Sequence, residues 1–408
     1  MLSVKDAQEQ ILQWFEPFET ITTTLGDALG RTLSQEIRSN FDFPLFNNSS
    51  VDGFAIRWED SANASAENPI TLKVVIDIPA GNVSNDTISS GQAARIMTGA
   101  PIPSGADAVV MIEDTDASAN EVGSAAPKTV RILAPLKFGE NIRWRGADIH
   151  VNQEIIPAGS VLLPQHIGIL AMLGVSAVPI RRKPKIALFS SGDELISVEE
   201  QLTPGKIYDS NTFMLAALLQ NAGCDVITLG VASDQYAAVE EILNQAANTN
   251  PDLIVSSAGV SAGAFDYIRN VVESAGTLSL WKVNMRPGKP LAFGSFRDIP
   301  FFGLPGNPVA SFVSFMVFIQ PVLNKLIGKT LTPNVRIKVK IIDEIESDGR
   351  ESYLRAVVSY VDGIATATLT GHQGSGNLFS MVQANALLII PAGVKFCPKN
   401  SDLEAWML

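Results

Sequence analysis

Short apolar strands alternate with helical stretches of about ten residues from Lys183 onward, and this alternation constrains the fold more than any other feature. The strand-like segments read KIALFSS, DVITLGV, DLIVSSA and TLSLWKV, and helix patterns begin near Asn211 and Tyr236. Such alternation predicts an α/β fold with a mostly parallel, doubly wound sheet. Ligands bind these sheets beyond the carboxyl ends of the strands, so we expect a site where these strands end.

The flanking sequence has other periodicities. Residues 3–16, about 24–38 and 164–175 repeat apolar side chains every three or four positions, which predicts amphipathic helices. The stretch 45–146 and the stretch after Lys329 have strand patterns, and the latter fits a small barrel or sandwich. The expected domains are a split helical domain (1–44 with 147–180), a β-rich domain (45–146), an α/β domain (181–328) and a C-terminal β domain (329–408).

Composition excludes several classes of function. The net charge of −12 argues against a protein that wraps nucleic acid phosphates. Cys224 and Cys397 are far apart, which argues against a disulfide framework and a thiolate metal site. The segment MLSVKDAQEQILQWF lacks the pattern of a signal peptide, so we expect a cytoplasmic location. Residues 309–323 are apolar but shorter than the ~20 residues of a membrane span, and we expect a buried helix there.

Residues 251–308 reverse the overall charge. Between Ser274 and Arg297 there are four basic residues and no acidic one. Glycines let backbone amides approach a ligand closely, and basic side chains add positive charge. The region therefore predicts an anion site that uses Gly259, Gly263, Gly288, Gly306, Lys282, Arg286 and Lys289.

Each motif also has a plain structural interpretation. In SSGDE, Glu194 fits either a Mg²⁺ ligand or an acidic helix start. Asp266 fits a phosphate-binding helix N-terminus or an N-cap. Lys282 and Arg286 share one face and are either oxyanion ligands or solvated charges. The turn LPGNP either holds amides toward a ligand or begins a stiff helix, and Asp52 alone favours an Asx turn.

Eight motifs follow one another over nearly the whole chain: NNSSVDGFAIR, RIMTGAPIPSGADAVVMIE, ENIRWRGADI, IALFSSGDEL, IYDSN, SSAGVSAGAFDY, WKVNMRPGKPLAFG and GLPGNPVAS. In this order they closely resemble the molybdopterin molybdenumtransferase family, which includes the bacterial MoeA proteins and the gephyrin E domain. A single motif would be weak, but a set in family order is highly specific.

The resemblance implies an elongated homodimer of four-domain subunits. Their central domain would be a three-layer α/β/α domain similar to molybdopterin adenylyltransferases, flanked by a split helical dimerisation domain, a β-rich domain and a C-terminal β-barrel. It implies an enzyme that inserts molybdate into adenylylated molybdopterin with Mg²⁺ and releases AMP and molybdenum cofactor. The implied partners are these substrates, a second copy that shares the active site at the subunit interface, the adenylyltransferase and acceptor molybdoenzymes. No nucleic acid or membrane partner is implied.

The resemblance also implies site residues. The catalytic positions would be Asp52, Asp148, Glu194, Asp234, Asp266, Lys282 and Arg286, with Glu194 and Asp266 as metal ligands. The substrate-binding positions would be Thr98, Ser257, Gly259, Ser261, Gly263, Pro287, Gly288, Lys289, Pro305, Gly306, Asn307, Arg355 and Ser375. The substrate would supply the dithiolene sulfurs, so no reactive cysteine is expected.

Two positions depart from the family pattern. Ala258 stands where glycine is common, which matters if the backbone there needs a positive φ. Arg286 stands where lysine is frequent, and it keeps the charge while replacing a point donor with a planar fork. Two other functions stay open: an adenylyltransferase that makes the adenylate, and a molybdopterin-binding scaffold without turnover. The choice between molybdate and tungstate also stays open, because the two oxyanions share shape and charge.

Overall fold

The computed structural model describes residues 1–119, 125–257, 264–330 and 336–408. The chain forms two compact units, and we describe each by itself. The larger unit comprises Met1–Gln35 with Pro157–Leu408, and the smaller unit comprises Glu36–Ile156.

The larger unit begins with helix α1, Val4–Leu12. Ser3 caps this helix, because its Oγ accepts a hydrogen bond from a first-turn amide at 3.1 Å. The buried side chains Val4, Ala7 and Ile11 have helical spacing. They pack into the main core of the larger unit, so α1 is part of that core.

The prediction of a helix over about 24–38 is wrong. Strand β1 (Thr20–Thr24) ends where this segment begins, and the segment contains a 3₁₀ turn (Leu25–Asp27), isolated β-bridges from Thr32 to Val161 and from Leu33 to Ile180, and strand β2 (Ile37–Arg38). The run TITTT is rich in β-branched residues, which favour strands. Strand β1 obtains a partner far along the chain, where it pairs antiparallel with Ala177–Arg181. Pairing with a distant segment has outweighed the local periodicity.

The smaller unit is a β structure, as predicted. After β2, its strands are β3 (Asn48–Ser49), β4 (Gly53–Ile56), β5 (Ile70–Ile78), β6 (Gln92–Ile96), β7 (Ala108–Met111), β8 (Thr129–Ile132), β9 (Ile142–Arg143) and β10 (Glu154–Ile156). A five-stranded sheet has the order β7-β4-β6-β5-β8, and β2 pairs with β10 and β3 with β9. The smaller unit also contains 3₁₀ turns at Trp58–Ser61 and Asp116–Ala119.

Gly53, in the motif VDGFA, is required by close backbone packing. A Cβ at this position would lie 1.9 Å from the carbonyl oxygen of Val110 on β7. The following residues, Phe54 and Ile56, are fully buried. The glycine thus lets β4, which begins directly after Asp52, pack between β7 and β6 in the sheet.

The α/β part of the larger unit confirms the predicted alternation. Its elements are α2 (Pro164–Met172), β11 (Ala177–Arg181), β12 (Lys185–Ser191), β13 (Leu195–Ile196), β14 (Ile207–Tyr208), α3 (Ser210–Asn221), β15 (Asp225–Ala232), α4 (Tyr236–Asn248), β16 (Leu253–Ser257), α5 (Ala264–Ser274), β17 (Gly276–Lys282), β18 (Met285–Arg286), β19 (Pro290–Phe296), β20 (Ile299–Leu304), α6 (Pro308–Ser314) and α7 (Gln320–Leu326). The six-stranded sheet has the order β15-β12-β16-β20-β19-β17. The first four strands in this order are parallel, and β19 runs antiparallel to both of its neighbours, β20 and β17.

Helices α6 and α7 are joined by a π-helical turn, Phe315–Ile319, into one apolar segment. The segment Pro308–Leu326 has 19 residues, and an 18-residue window within it has a mean hydropathy of 1.5, so it is long and apolar enough to cross a membrane by length and composition. In this fold 72% of that window is buried. Its apolar side chains pack in the main core, as predicted for a buried helix.

The C-terminal region forms a closed β-barrel, as predicted. Its elements are β21 (Arg336–Ile341), β22 (Ile345–Glu346), β23 (Glu351–Val361), β24 (Ile364–Leu369), α8 (Leu378–Gln383), β25 (Ala386–Ile390), β26 (Phe396–Cys397) and β27 (Asp402–Met407). The strands follow the order β23-β24-β21-β27-β25, and β25 pairs again with β23. This second pairing closes the barrel, because it leaves no free edge on either strand.

The barrel and the α/β layer share one hydrophobic core. Tyr353, Leu387 and Trp406 of the barrel belong to the same buried cluster as Val313 and Phe318 of the apolar helical segment. The loops that project from the two parts are therefore held at fixed positions relative to each other within the larger unit.

Phe302→Ala tests this core. Phe302 is fully buried, and its ring lies 4.8 Å from that of Phe293. We expect the free energy of unfolding to fall by about 3–5 kcal/mol, because the change removes apolar area and leaves a cavity. Denaturant unfolding followed by circular dichroism measures the loss. Phe379→Ala is the matched control, since Phe379 is 67% exposed; equal losses in the two variants would contradict the assignment of the core.

Candidate active site

One cavity of about 960 Å³ lies where the parallel strands of the larger unit end. The loop after β12 contributes Glu194, and the loop after β20 contributes Pro305 to Pro308. A hairpin loop (286–290) and a barrel loop (373–376) form further walls. Its position matches the predicted site at the carboxyl ends of the strands, and its volume is typical of small-molecule sites.

Many of the predicted site residues line this cavity together, although they are far apart in sequence. They are Glu194, Arg286, Pro287, Gly288, Lys289, Pro305, Gly306, Asn307 and Ser375. Their convergence brings a carboxylate, two cations and several turn backbones to one ligand-sized space.

The basic loop depends on Gly288, which has a φ of +99°. A Cβ there would lie 2.7 Å from Ser314 Oγ on α6 and 3.1 Å from the methyl carbon of Met285. A glycine is therefore needed for the loop to pass so close to the helix. The side chains of Arg286 and Lys289 remain exposed at the cavity wall, which gives this wall a positive charge.

Side chains beneath the turn LPGNP fix its backbone. Asn211 Nδ2 donates to the Gly306 carbonyl at 2.7 Å, and Ser311 Oγ donates to the Pro305 carbonyl. The Ser311 amide donates to the Asn307 carbonyl at 2.9 Å. Helix α6 begins at Pro308, the last residue of this turn. The same residues therefore start the helix and line the cavity.

Arg355 does not line the cavity, because its side chain is fully buried inside the barrel. Its Nε donates to Ser380 Oγ at 2.9 Å, and its Nη2 donates to the carbonyls of Gly374 at 2.9 Å and His372 at 3.4 Å. Burial and, to a smaller extent, the charge of the nearby Arg286 together lower the pKa of this guanidinium to about 10. Arg355 acts on the cavity only indirectly. It binds carbonyls of the loop that carries Ser375, and that loop lines the cavity.

Three carboxylates cluster beside the cavity at the ends of β12 and β15. The Asp234 amide donates to Asp193 Oδ1 at 3.0 Å, and Glu194 lines the cavity. Burial is the main cause that raises the pKa of Asp234. The charges of Asp193 and Glu194 raise it further, whereas the backbone of Asp193 lowers it. The cluster therefore carries mutual repulsion that a cation would relieve.

Asp52, Thr98 and Asp148 belong to the smaller unit. Asp52 Oδ1 accepts hydrogen bonds from the Thr98 amide at 2.7 Å and from Thr98 Oγ1 at 2.9 Å, so the structure brings these two predicted residues together. Asp148 forms an ion pair with Arg143. These contacts join Asp52 to a residue 46 positions further along the chain, so they are not the contacts of the local Asx turn that its sequence favours.

Other predicted residues lie elsewhere or outside the described residues. Lys282 is exposed at the end of β17 and Ser257 is buried at the end of β16, and neither lines the cavity. Asp266 falls within α5, but its side chain is outside the description. The predictions for Ala258, Gly259, Ser261 and Gly263 also concern residues outside the described ranges.

Several cavity residues were not predicted. Asp209, 4% exposed, caps α3 through the Thr212 amide at 3.1 Å and accepts from Ser190 Oγ at 3.3 Å. The motif IYDSN lies between a strand and a helix, and this position could have indicated Asp209 and Asn211 as site residues.

Arg350 and Gln373 could not be predicted from local sequence, because strand pairing in the barrel brings them to the cavity.

A preformed metal centre is absent from the part of the chain that the structure describes: no three His, Cys, Asp or Glu side chains there are arranged to hold a metal ion. Both cysteines are buried and free, and burial raises the pKa of Cys224 to about 12. Burial also raises the pKa of Cys397, so both thiols disfavour the thiolate form.

Three family models match the chain in succession. They are the MoeA N-terminal region (domain I and II) at residues 2–174, the probable molybdopterin binding domain at 187–325 and the MoeA C-terminal region (domain IV) at 338–408. A crystal structure of the molybdopterin biosynthesis MoeA protein from Pyrococcus horikoshii OT3 has a TM-score of 0.82 and 29% identity, with both chains covered in full. Fold and site thus define a multidomain protein of molybdenum cofactor biosynthesis.

Curated relatives identify the family more closely. A molybdopterin molybdenumtransferase from a Nostoc species is 40% identical over 393 residues, which cover 94% of this chain and 88% of the relative. Molybdopterin molybdenumtransferase 2 from Mycobacterium tuberculosis is 34% identical, and each chain is covered in full. The chain belongs to the molybdopterin molybdenumtransferase family.

Asp234→Asn tests the cost of ionising Asp234, which comes first from burial and then from the charges of Asp193 and Glu194. The raised pKa means that folding favours the protonated carboxyl, so the ionised form at pH 7 costs stability. We expect the variant to melt ~1–2 °C higher than the wild-type protein at pH 7. The difference should vanish below about pH 4, where the carboxyl is protonated in both folded and unfolded chains. Differential scanning calorimetry at both pH values measures the difference in Tm. A lower Tm for the variant at pH 7 would contradict the claim that ionised Asp234 costs stability.

Proposed function

We propose that this protein inserts molybdate into adenylylated molybdopterin and releases AMP and molybdenum cofactor. The observation that carries the proposal is the convergence on one cavity of SGDE, MRPGKP, LPGNP and the barrel loop GSGN. Family membership supplies the reaction type, and the cavity supplies a space with both positive and negative walls.

The positive wall fits the anionic parts of the two substrates. Arg286 and Lys289 line the cavity beside a glycine turn, where their charges would offset the repulsion between an adenylyl phosphate and molybdate. Lys282, at the base of the same hairpin, would add to this field, since its strand position pairs with Pro290. We assign these three residues to oxyanion binding and charge stabilisation.

The acidic cluster fits a divalent cation that arrives with the substrate. Mg²⁺ is usually bound by one or two carboxylates together with substrate phosphates, so a preformed three-ligand site is not required. The repulsion at Asp234 supports cation binding at this edge, with Glu194 and Asp266 as the proposed ligands. When bound, Mg²⁺ would neutralise charge on the phosphate that leaves.

Asp52, Thr98 and Asp148 would complete the site from the smaller unit of a second copy. We propose a cytoplasmic homodimer with the active site at the subunit interface, which receives its substrate from an adenylyltransferase and passes the cofactor to molybdoenzymes. The family membership and the exposed, polar setting of Asp148 support this arrangement. Sedimentation analysis measures the oligomeric state.

The central test is AMP release from adenylylated molybdopterin by the purified protein. We expect release that depends on both molybdate and Mg²⁺, with losses of about 100-fold or more in Lys282→Ala and Asp266→Ala, because each removes a charge that acts at the reacting phosphate. AMP is quantified by chromatography. Lys338→Ala is the matched control for Lys282→Ala, since Lys338 lies on barrel strand β21 and does not line the cavity.

Other outcomes would contradict the proposal in distinguishable ways. Consumption of ATP on molybdopterin would identify an adenylyltransferase. Tight molybdopterin binding without AMP release would identify a scaffold.

A further inference from the structure

A second cavity, of about 530 Å³, lies at the opposite end of helix α3 from the candidate active site. Leu218 and Asn221, in the last turn of α3, line this second cavity, whereas Ser210 and Asn211, in the first turn, line the active-site cavity. About 15 Å of helix separates the two turns. Within the described part of the chain, no residue lines both cavities.

The apolar walls of the second cavity are side chains that the main core leaves partly uncovered. Leu218, Phe312 and Met316 pack against that core but are only partly buried. Met407, at the end of the last barrel strand, lines the cavity as well. An aromatic ring and two thioethers form an adaptable apolar surface, and sulfur packs favourably against aromatic rings. These walls therefore suit a flat ring system.

Gln320 and Asn324 supply polar groups to the same cavity. They lie one helical turn apart on the apolar helical segment, and Gln320 Nε2 donates to Asn324 Oδ1 at 3.2 Å. Asn324 is only 8% exposed, and its Nδ2 has no hydrogen-bond partner among the described residues. The Gln320 Oε1 is also unpaired there. The two carboxamides therefore present one donor and one acceptor side by side.

We propose that the second cavity binds a planar nitrogen heterocycle that has a hydrogen-bond donor and an acceptor next to each other on one edge. Purine bases and pterins share this chemistry. Asn324 Nδ2 donates to the acceptor of the ring edge, and Gln320 Oε1 accepts from its N–H. The ring itself lies between the apolar walls.

Hydrogen bonding favours such a ligand over one that merely fills the space. A polar group that loses water without gaining a partner costs free energy, so a hydrocarbon in this cavity would leave both carboxamides unpaired. A ring edge with matching groups satisfies both at once. The volume and the mixture of apolar walls with a few polar groups are typical of small-molecule sites.

Isothermal titration calorimetry with adenosine, guanosine and pterin tests the proposal. We expect at least one of these probes to bind, and the tightest binder identifies the ligand as a purine or a pterin. Caffeine is the matched control ligand, because it is a flat purine whose ring N–H groups are all methylated. The proposal is overturned if no probe binds, or if caffeine binds as tightly as the best probe.

Gln320→Met tests the polar pair, because it removes the carboxamide and keeps the length of the side chain. The tightest probe should bind about 10-fold or more weakly, since its N–H loses its acceptor. Gln245→Met is the matched control, because Gln245 also donates to a side chain four positions away, Glu241 at 3.2 Å, and does not line the cavity. Unchanged affinity in Gln320→Met, or an equal loss in Gln245→Met, would contradict recognition by the pair.

Two further variants locate the bound probe. Leu218→Trp fills the cavity from α3 and should abolish binding, which provides a second test if thermal unfolding shows that Gln320→Met is not folded. Arg286→Ala changes the active-site cavity and should leave the affinity as it is. Binding that is lost in Arg286→Ala but kept in Gln320→Met would place the probe in the active-site cavity and overturn the proposal.

Discussion

The parallel pairing of Met285–Arg286 with Glu351–Ser352 is the interaction on which the site depends. It joins the hairpin loop of the α/β layer to the first long strand of the barrel. The Glu351 amide adds a hydrogen bond to the Asn284 carbonyl at 3.1 Å. Through this short pairing the basic loop, the barrel loop and the turn after β20 form one set of walls, and the shared core behind them keeps the walls in place.

The site concentrates charges that a stable protein would otherwise keep apart. The chain has a net charge of −12, yet one wall of the cavity is basic while carboxylates cluster beside it. Ionisation of Asp234 costs stability, and so does burial of the Arg355 charge. Such costs are typical of functional sites, where groups are arranged for a ligand rather than for the empty protein.

Much of the fold could be predicted from local sequence. The strands ending at Ser191 and Ser257, the helices starting near Asn211 and Tyr236, and the buried apolar helix all follow from periodicity over short windows. Prediction failed at about 24–38, because residues there pair with distant segments, as Leu33 does with Ile180 and Ile37 with Ile156. Local patterns do not contain that information.

Some residues of the candidate site could be predicted from local sequence, and others could not. Residues in glycine- and proline-rich motifs, such as Gly288 and Asn307, were predicted because turn chemistry marks them in sequence. The buried setting of Arg355 and the cavity position of Arg350 depend on closure of the barrel and on its pairing with β18. Only the tertiary structure shows that one arginine faces the barrel interior and the other the cavity.

Helix α1 leads to a consequence for synthesis of the chain. Its Gln8 side chain donates to the Val317 carbonyl at 2.7 Å, and the Leu12 carbonyl accepts from Lys325 at 2.9 Å. These partners leave the ribosome some 300 residues after the helix does. The apolar face of α1 therefore stays uncovered during most of translation, and the main core closes only when nearly all of the α/β layer has been made. The acidic and polar residues around that face, such as Asp6 and Glu9, keep the early segment hydrated in the meantime.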